Sequence, residues 1–244
     1  MSDRYFIENP IVNSRTVLSG LEAHHLIHVM RAQPGAEVVL FDGSGAEMAA
    51  VVRKISRTEV ELAVLSRCEV DRELPLELTL GVALPKGDRQ RWLVEKAVEL
   101  GVGRIVPLWT AHAVAQPGPQ TIDRLRRSVI EASKQCGRNR LLEVALPQNW
   151  NDFLAHSGQV PCRLLAHLCG PHDRAGGLPL TGLPDRVWLA IGPEGGLTDE
   201  EVGAAVAGGW QTVGLGPRIL RVETAAIVLA AMVVQRSLEP CDFS

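Results

Sequence analysis

Long apolar runs are missing from this 244-residue chain. The longest, Ala225 to Val234, is too short to cross a bilayer, and the N-terminus, with Asp3, Arg4 and Glu8, has no apolar signal-peptide core. Cysteine is scarce and unpatterned. Its five residues, Cys68, Cys136, Cys162, Cys169 and Cys241, are odd in number and form no C-x-x-C pair, which fits a reducing compartment better than a disulfide framework. A cytoplasmic protein is expected. Excess positive charge is also absent: the net charge of −3 excludes a uniformly basic coat, so contact with a nucleic acid must come from local patches. Neither G-x-G-x-x-G nor G-x-x-x-x-G-K-[ST] occurs, so no dinucleotide or nucleotide-phosphate site is expected. What is present, 46% hydrophobic residues, is enough to bury a sizeable core in one large or two modest domains.

The most informative stretch runs from Val187 to Ala226. Val187 to Ile191 is a short apolar run stopped by Gly192, Pro193, Gly195 and Gly196, as a buried strand entering a tight loop is stopped. Thr198 and Glu201 have capping-box spacing, so a helix should begin there and end at Gly208-Gly209. Trp210 to Leu215 reads as a second strand, broken at Gly216-Pro217, and Glu223 to Leu238 as a long Ala/Val-rich helix. Two strand ends thus deliver two glycine-rich loops. Glycine there lets a ligand lie against bare backbone, and the carboxyl ends of parallel strands are where α/β sheets bind ligands. The pair reads as a cofactor pocket for a ligand without phosphate, although either loop alone could be no more than a turn.

Residues 1–70 read as a small β-rich module. Glu37–Phe41, Met48–Ile55 and Glu59–Leu65 are strands separated by Asp42-Gly43-Ser44-Gly45 and Arg57-Thr58, with a helix over Leu21–Arg31. Val70 to Pro75 marks a boundary. Residues 71–244 then alternate: strands at Leu76–Leu84, Arg104–Leu108, Leu142–Leu146 and Arg163–Ala166, and helices at Asp88–Leu100 and Ile122–Cys136. This order implies a parallel sheet covered by helices on both faces. Arg124, Arg126, Arg127, Lys134, Arg138 and Arg140 stand against one acid, Glu131. The segment is either a solvated helix face or a phosphate-binding patch. His24 and His28, four apart on a helix, have a spacing that suits one metal, yet no third ligand stands near. His167, Cys169, His172 and Asp173 form a similar cluster, and no metal is expected at either place.

Ile191-Gly192-Pro193-Glu194-Gly195-Gly196 and Leu215-Gly216-Pro217-Arg218-Ile219-Leu220-Arg221-Val222-Glu223-Thr224-Ala225 resemble the two cofactor loops of the SPOUT methyltransferases. The likeness is greatest to the enzymes that methylate N3 of a uridine in bacterial 16S ribosomal RNA. Arg4-Tyr5-Phe6, His24-His25-Leu26 through Met30-Arg31, Lys96 to Val102 and Gln135-Cys136-Gly137-Arg138 agree in order, so the resemblance spans nearly the whole chain.

It implies a trefoil-knotted sheet, with Arg163 to Ala225 as the knotted part, preceded by a PUA-like RNA-binding β-barrel. It also implies S-adenosylmethionine as cofactor, a homodimer paired through the last helix, and 16S ribosomal RNA or the small ribosomal subunit as partner. Carried over by position, the cofactor contacts are Leu165, His167, Ile191, Gly192, Gly195, Gly196, Leu215, Gly216, Ile219, Leu220 and Thr224. The RNA contacts are Arg4, His24, His25, Arg31, Arg124, Arg126 and Arg127. Arg138, with Arg140 second, is expected to stabilise the uracil anion, while Glu99 and Glu223, each of which could accept a proton, read rather as structural. One departure stands out: the family's Ser-Glu-Arg-like tract is here Thr110-Ala111-His112-Ala113, which puts a contact at His112 in doubt or makes it depend on pH. Methylation of another RNA, for example at a ribose 2′-hydroxyl, and a non-catalytic RNA-binding assembly factor are the alternative functions.

Overall fold

The computed structural model describes residues 4–9, 11–167 and 182–238. The chain divides into two compact units, residues 1–73 with 133–141, and residues 74–132 with 142–244. In the first, β1 (Arg4–Phe6) and β2 (Arg15–Leu18) precede α1 (Gly20–His24), and β3 (Glu37–Phe41), β4 (Ala46–Ile55) and β5 (Val60–Glu69) follow. They form one sheet in the order β1-β3-β4-β5-β2, with β1 parallel to β3 and the other pairs antiparallel. Ala46, Met48, Ala50 and Val52 alternate inward along β4 and are buried with Tyr5, Leu26, Leu40 and Leu62. Two register shifts, at Ala49/Ala50 and Val52/Lys54, interrupt the β4–β5 ladder.

The helix expected over Leu21–Arg31 is split. After α1 the backbone widens into a π-turn over His25–Val29, where the Met30 N–H reaches back to the His25 carbonyl at 3.0 Å. Arg31, at φ +52°, ends it. β5 runs on to Glu69, four residues past its expected end, because pairing with β4 continues where the exposed tail has lost its apolar alternation.

The second unit supplies β6 (Glu77–Val82), α2 (Arg89–Glu99), β7 (Arg104–Trp109), most of α3 (Pro119–Cys136), β8 (Glu143–Val144), β9 (Gln148–Asn149), α4 (Trp150–His156), β10 (Cys162–Ala166), β11 (Arg186–Ile191), α5 (Asp199–Ala207), β12 (Gln211–Val213) and α6 (Val222–Leu238). Its strands lie in the order β12-β10-β11-β6-β7-β8, with β9 paired to the end of β7, and every pairing is parallel. Parallel strands need both faces covered, which accounts for the nearly continuous burial of Leu78 to Leu84 and Ile105 to Leu108. α6 meets the same requirement: Val222, Ala226, Leu229, Ala230 and Val233 are buried, and Ile227, Val228, Ala231, Met232 and Val234 are half-buried. The segment 133–141, expected in the α/β part, packs with the first unit.

Aromatic side chains are few but concentrated. Phe153 of α4 stacks on Trp188 at 5.0 Å and meets Trp210 at 5.6 Å and Trp150 at 6.3 Å. The indole N–H of Trp210 donates to Ser157 Oγ and that of Trp150 to the Glu201 carbonyl, so neither is buried without a partner. Gly81 of β6 makes room for this group, since a Cβ there would lie 2.3 Å from Phe153 Cζ. The ring is held by its neighbours and cannot swing clear. Gly81→Ala should therefore destabilise the protein by about 1–3 kcal/mol through overpacking, measured as a lowered midpoint in urea unfolding with the slope unchanged.

Candidate active site

β10, β11 and β12 end level with one another: Ala166 is paired with Ile191 on one side and with Val213 on the other. The His167 N–H continues the ladder to the Val213 carbonyl, so three carboxyl ends open at one edge of the sheet. The loops leaving β11 and β12 wall a cavity of about 350 Å³. It is lined by Ala166 and His167, by Ile191 to Leu197, and by Leu215, Gly216, Arg218, Ile219, Leu220, Val222 and Ala225.

Local sequence shapes each wall. The first loop turns at Pro193, whose carbonyl accepts the Gly196 N–H at 2.9 Å, and Gly196 has φ +76°. Thr198 then caps α5: its hydroxyl accepts the Glu201 N–H, and the Glu201 carboxylate accepts the Thr198 N–H. At Gly192 a Cβ would stand 2.9 Å from Leu197 Cγ, so the loop closes on itself only with glycine there. The second loop turns at Gly216, φ +102°, and α6 begins at Val222.

Eight of the expected cofactor contacts beyond the strand end meet here: Ile191, Gly192, Gly195, Gly196, Leu215, Gly216, Ile219 and Leu220, joined by His167. Leu165 and Thr224 are not among the lining residues. Leu165 points to the opposite face of β10 from Ala166 and is fully buried in the core, while Thr224 is exposed on the first turn of α6. Cys169, His172 and Asp173, the companions of His167 in the second candidate metal cluster, lie outside the described residues. Among the described residues no group of three or more His, Cys, Asp or Glu is placed to hold a metal.

The sequence reading missed an ion-pair hub beside the cavity. Arg89, at the start of α2, lies 3.2 Å from Glu194 in the first loop and 3.5 Å from the buried Glu223 on α6. No local motif marks it, because its partners are more than a hundred residues away. It also missed the docking of the 110–113 turn. The Ala111 N–H donates to the Glu201 carboxylate at 2.8 Å, and His112 Nδ1 lies 3.1 Å from the Gly196 carbonyl oxygen.

Among the described residues the lining is mostly apolar and backbone. Ile191, Leu197, Leu215, Ile219 and Leu220 offer apolar surface, Glu194 one carboxylate and Arg218 one cation. A nucleoside with a positively charged tail and no phosphate fits such a set, whereas a pyrophosphate would meet too few donors.

In the first unit, Arg4 donates to Glu47 and to Asn139 Oδ1, and Arg72 donates to the same Glu47 oxygen and to the Gly137 carbonyl. Arg138 is buried, with its Nε and Nη2 on the Glu73 carboxylate, and Arg140 is exposed beside Gly45. His24 and Arg31 are exposed, and the His24 ring lies 4.7 Å from that of His28. His25 is half-buried against Tyr5. In the second unit Arg124, Arg126 and Arg127 are exposed on α3, and Arg126 also donates to the Val144 carbonyl.

Residues 72–234 match the model of the RNA methyltransferase domain, and residues 18–65 match that of the RNA methyltransferase PUA domain. The chain belongs to this RNA methyltransferase family. Within it, the chain is similar to proteins called ribosomal RNA small subunit methyltransferase E. That of Synechocystis is 34% identical over 226 residues, 91% of this chain and 74% of the relative, and that of Bacillus subtilis is 30% identical over 251 residues, 96% and 97%. Among solved structures, a putative Legionella pneumophila methyltransferase in complex with S-adenosylmethionine superposes with a TM-score of 0.87 at 30% identity, covering 96% of this chain and 97% of that one. The Neisseria gonorrhoeae ribosomal RNA small subunit methyltransferase E bound to S-adenosylmethionine gives 0.85 at 29%, covering 96% and 98%.

Burial pushes the Glu47 carboxyl up, but the hydrogen bonds and charges of Arg72 and Arg4 outweigh it and hold the group below the ordinary glutamate value. A carboxyl depressed in the folded state adds stability above its unfolded pKa, and that contribution is lost as the pH falls through the folded value. Acid should therefore weaken the first unit within and below the ordinary carboxylate range. Glu47→Gln should be less stable than wild type near neutral pH, and the gap should close in acid. Urea unfolding at about pH 7 and about pH 3 measures it.

Proposed function

We propose that this protein methylates N3 of a uridine in 16S ribosomal RNA, using S-adenosylmethionine, in the cytoplasm. The observation that carries the reading is the cavity between the two glycine loops, apolar and backbone-lined, in a chain of this family. When bound, S-adenosylmethionine supplies a methyl group already activated on sulfonium. The protein's own task is then to hold the base in line with that methyl and to favour loss of the N3 proton. Backbone groups of Gly192, Gly195, Gly196 and Gly216 and the side chains of Ile191, Leu215, Ile219 and Leu220 would hold the cofactor. His167 and the Glu194 carboxylate line the same cavity and would be the polar side chains offered to the cofactor.

Of the expected pair Arg138 and Arg140, Arg140 is the cation we assign to the uracil anion. Arg140, being exposed, is free to meet a base, and Arg138 through Glu73 would fix the turn that carries it. Arg124, Arg126, Arg127, Arg31 and His24 present exposed polar groups for RNA. Arg4 and His25, already engaged inside the first unit, would support that surface. We further propose that the five-stranded sheet closes as a PUA-like barrel, that the C-terminal part of the chain is threaded as a trefoil knot, and that α6 pairs two copies into a homodimer. The half-buried apolar residues of α6 support the last point, since a helix apolar nearly all round must be covered on more than one side.

Mass spectrometry of 16S ribosomal RNA from cells with and without the gene tests the activity, and 3-methyluridine should vanish on deletion. Gly196→Val, which puts a β-branched residue at φ +76°, should weaken S-adenosylmethionine binding at least tenfold in calorimetry with an unchanged far-ultraviolet spectrum. Arg126→Ala should weaken RNA binding and flatten its salt dependence. Arg140→Ala should instead lower turnover at saturating RNA far more than it lowers affinity. Like behaviour of these two variants in both assays would overturn the division of the basic segment.

A further inference from the structure

Arg218 is the single cation among the described residues that line the cavity, and no role above rests on it. It stands in the second loop, between Gly216, whose φ of +102° turns the chain, and Val222, where α6 begins. Arg218 and Ile219 are both exposed, Ile219 by 82%, and both line the cavity, so this tip of the loop stands at its mouth. Among the described residues Arg218 has no hydrogen-bond or ion-pair partner. The one carboxylate in the lining, Glu194, is paired with Arg89 at 3.2 Å, and the buried Glu223, farther along the same stretch, lies 3.5 Å from that same arginine. His167 lines the cavity from the end of β10, and Arg221 is exposed beyond Leu220.

A guanidinium with no acid on it, set in the wall of a pocket for a cofactor of net positive charge, works against that cofactor, because like charges repel. The same charge favours an anion that enters by the same mouth. Methyl transfer to N3 of a uridine makes such an anion. Loss of the N3 proton spreads negative charge over N3 and the two uracil carbonyl oxygens, and the planar fork of a guanidinium carries the donors to meet one of them. Two such oxygens leave a place for a second cation beside Arg140.

We propose that Arg218 is a catalytic residue that binds a carbonyl oxygen of the target uracil at the mouth of the cavity and stabilises the N3 anion. The inference rests on the methyltransferase reading given above. The N3 proton passes to water, the N3 lone pair forms the N3–CH3 bond, and the electron pair of the breaking S–CH3 bond stays on sulfur. Products are the 3-methyluridine, S-adenosylhomocysteine and one proton.

The first test needs no turnover. In calorimetry Arg218→Ala should bind S-adenosylmethionine at least as tightly as wild type, with S-adenosylhomocysteine, which lacks the sulfonium charge, gaining less. A variant that loses affinity for both by the same factor marks Arg218 as the holder of the cofactor's own carboxylate and overturns the proposal. In single-turnover methylation of small-subunit RNA at saturating RNA, Arg218→Ala should lower the rate about a hundredfold at neutral pH. The deficit should shrink as the pH rises toward the range where uracil N3 ionises unaided, and a deficit constant with pH overturns the role. Arg218→Lys, which keeps the charge, should be impaired less than Arg218→Ala, and added guanidinium should restore part of the rate of the alanine variant. Equal impairment of the two variants, or no rescue, counts against the role and overturns it. An alanine variant that regains the full rate once RNA saturates marks a phosphate contact and overturns it as well. A wild type that binds the cofactor but makes no 3-methyluridine overturns the methylation reading and this role together; a wild type that methylates beside an unimpaired Arg218→Ala overturns this role alone.

Discussion

Parallel pairing of β10 with both β11 and β12 is the constraint from which the site follows. Because all three strands run the same way and end within one residue of each other, the chain must leave the sheet three times at the same edge. Each exit strips backbone groups of their ladder partners at a place already crowded by α5 and α6. Glycine at 196 and 216 allows turns at positive φ, glycine at 192 and 195 leaves room for Leu197 and His112, and all four line the cavity. The pocket is therefore a by-product of how a parallel sheet ends. Among the described lining residues Arg218 is the single cation.

Around that edge the loops are held by side chains rather than by further strands. Arg89 ties Glu194 of the first loop to Glu223 of α6, and Glu201 ties the Thr198 cap to the turn at Ala111. These contacts join segments remote in sequence, so a change at α2 or at the 110–113 turn would be felt at the cofactor loops without touching the cavity. Behind them the aromatic group of Trp150, Phe153, Trp188 and Trp210 supplies a rigid floor that depends on the missing side chain at Gly81.

The first unit obeys a different logic. Its sheet is antiparallel apart from β1, and carboxylates organise its charge, Glu22 holding Lys134. Glu47 gathers Arg4 and Arg72, and Glu73 gathers Arg138. Segment 137–140 is pinned by these pairs, which leaves Arg140 outside. The basic run thus separates into arginines that hold structure and arginines that face water, a distinction charge counting cannot make because it depends on which side chains find a buried acid.

The sequence by itself determined the strands and helices whose signals are local. The capping box at Thr198, the glycine stop after Ile191, the hairpin loop at 42–45 and the alternation along β4 each depend on a few neighbouring residues, and each is found in place, whereas the strand expected to run to Leu215 ends at Val213. The short pieces β1, β2, β9 and α4 carried too few residues for any period to show. The residues of the cavity were legible as two loops, since glycine needs no partner to declare a turn. Only the tertiary structure decided that the loops meet, that Leu165 turns into the core while Ala166 faces the cavity, that Arg138 is spent on Glu73, and that His112 leans on Gly196. Each of those outcomes depends on a contact between residues far apart in the chain, and such contacts are fixed by packing and by the direction in which each strand leaves the sheet, neither of which any short window of sequence contains.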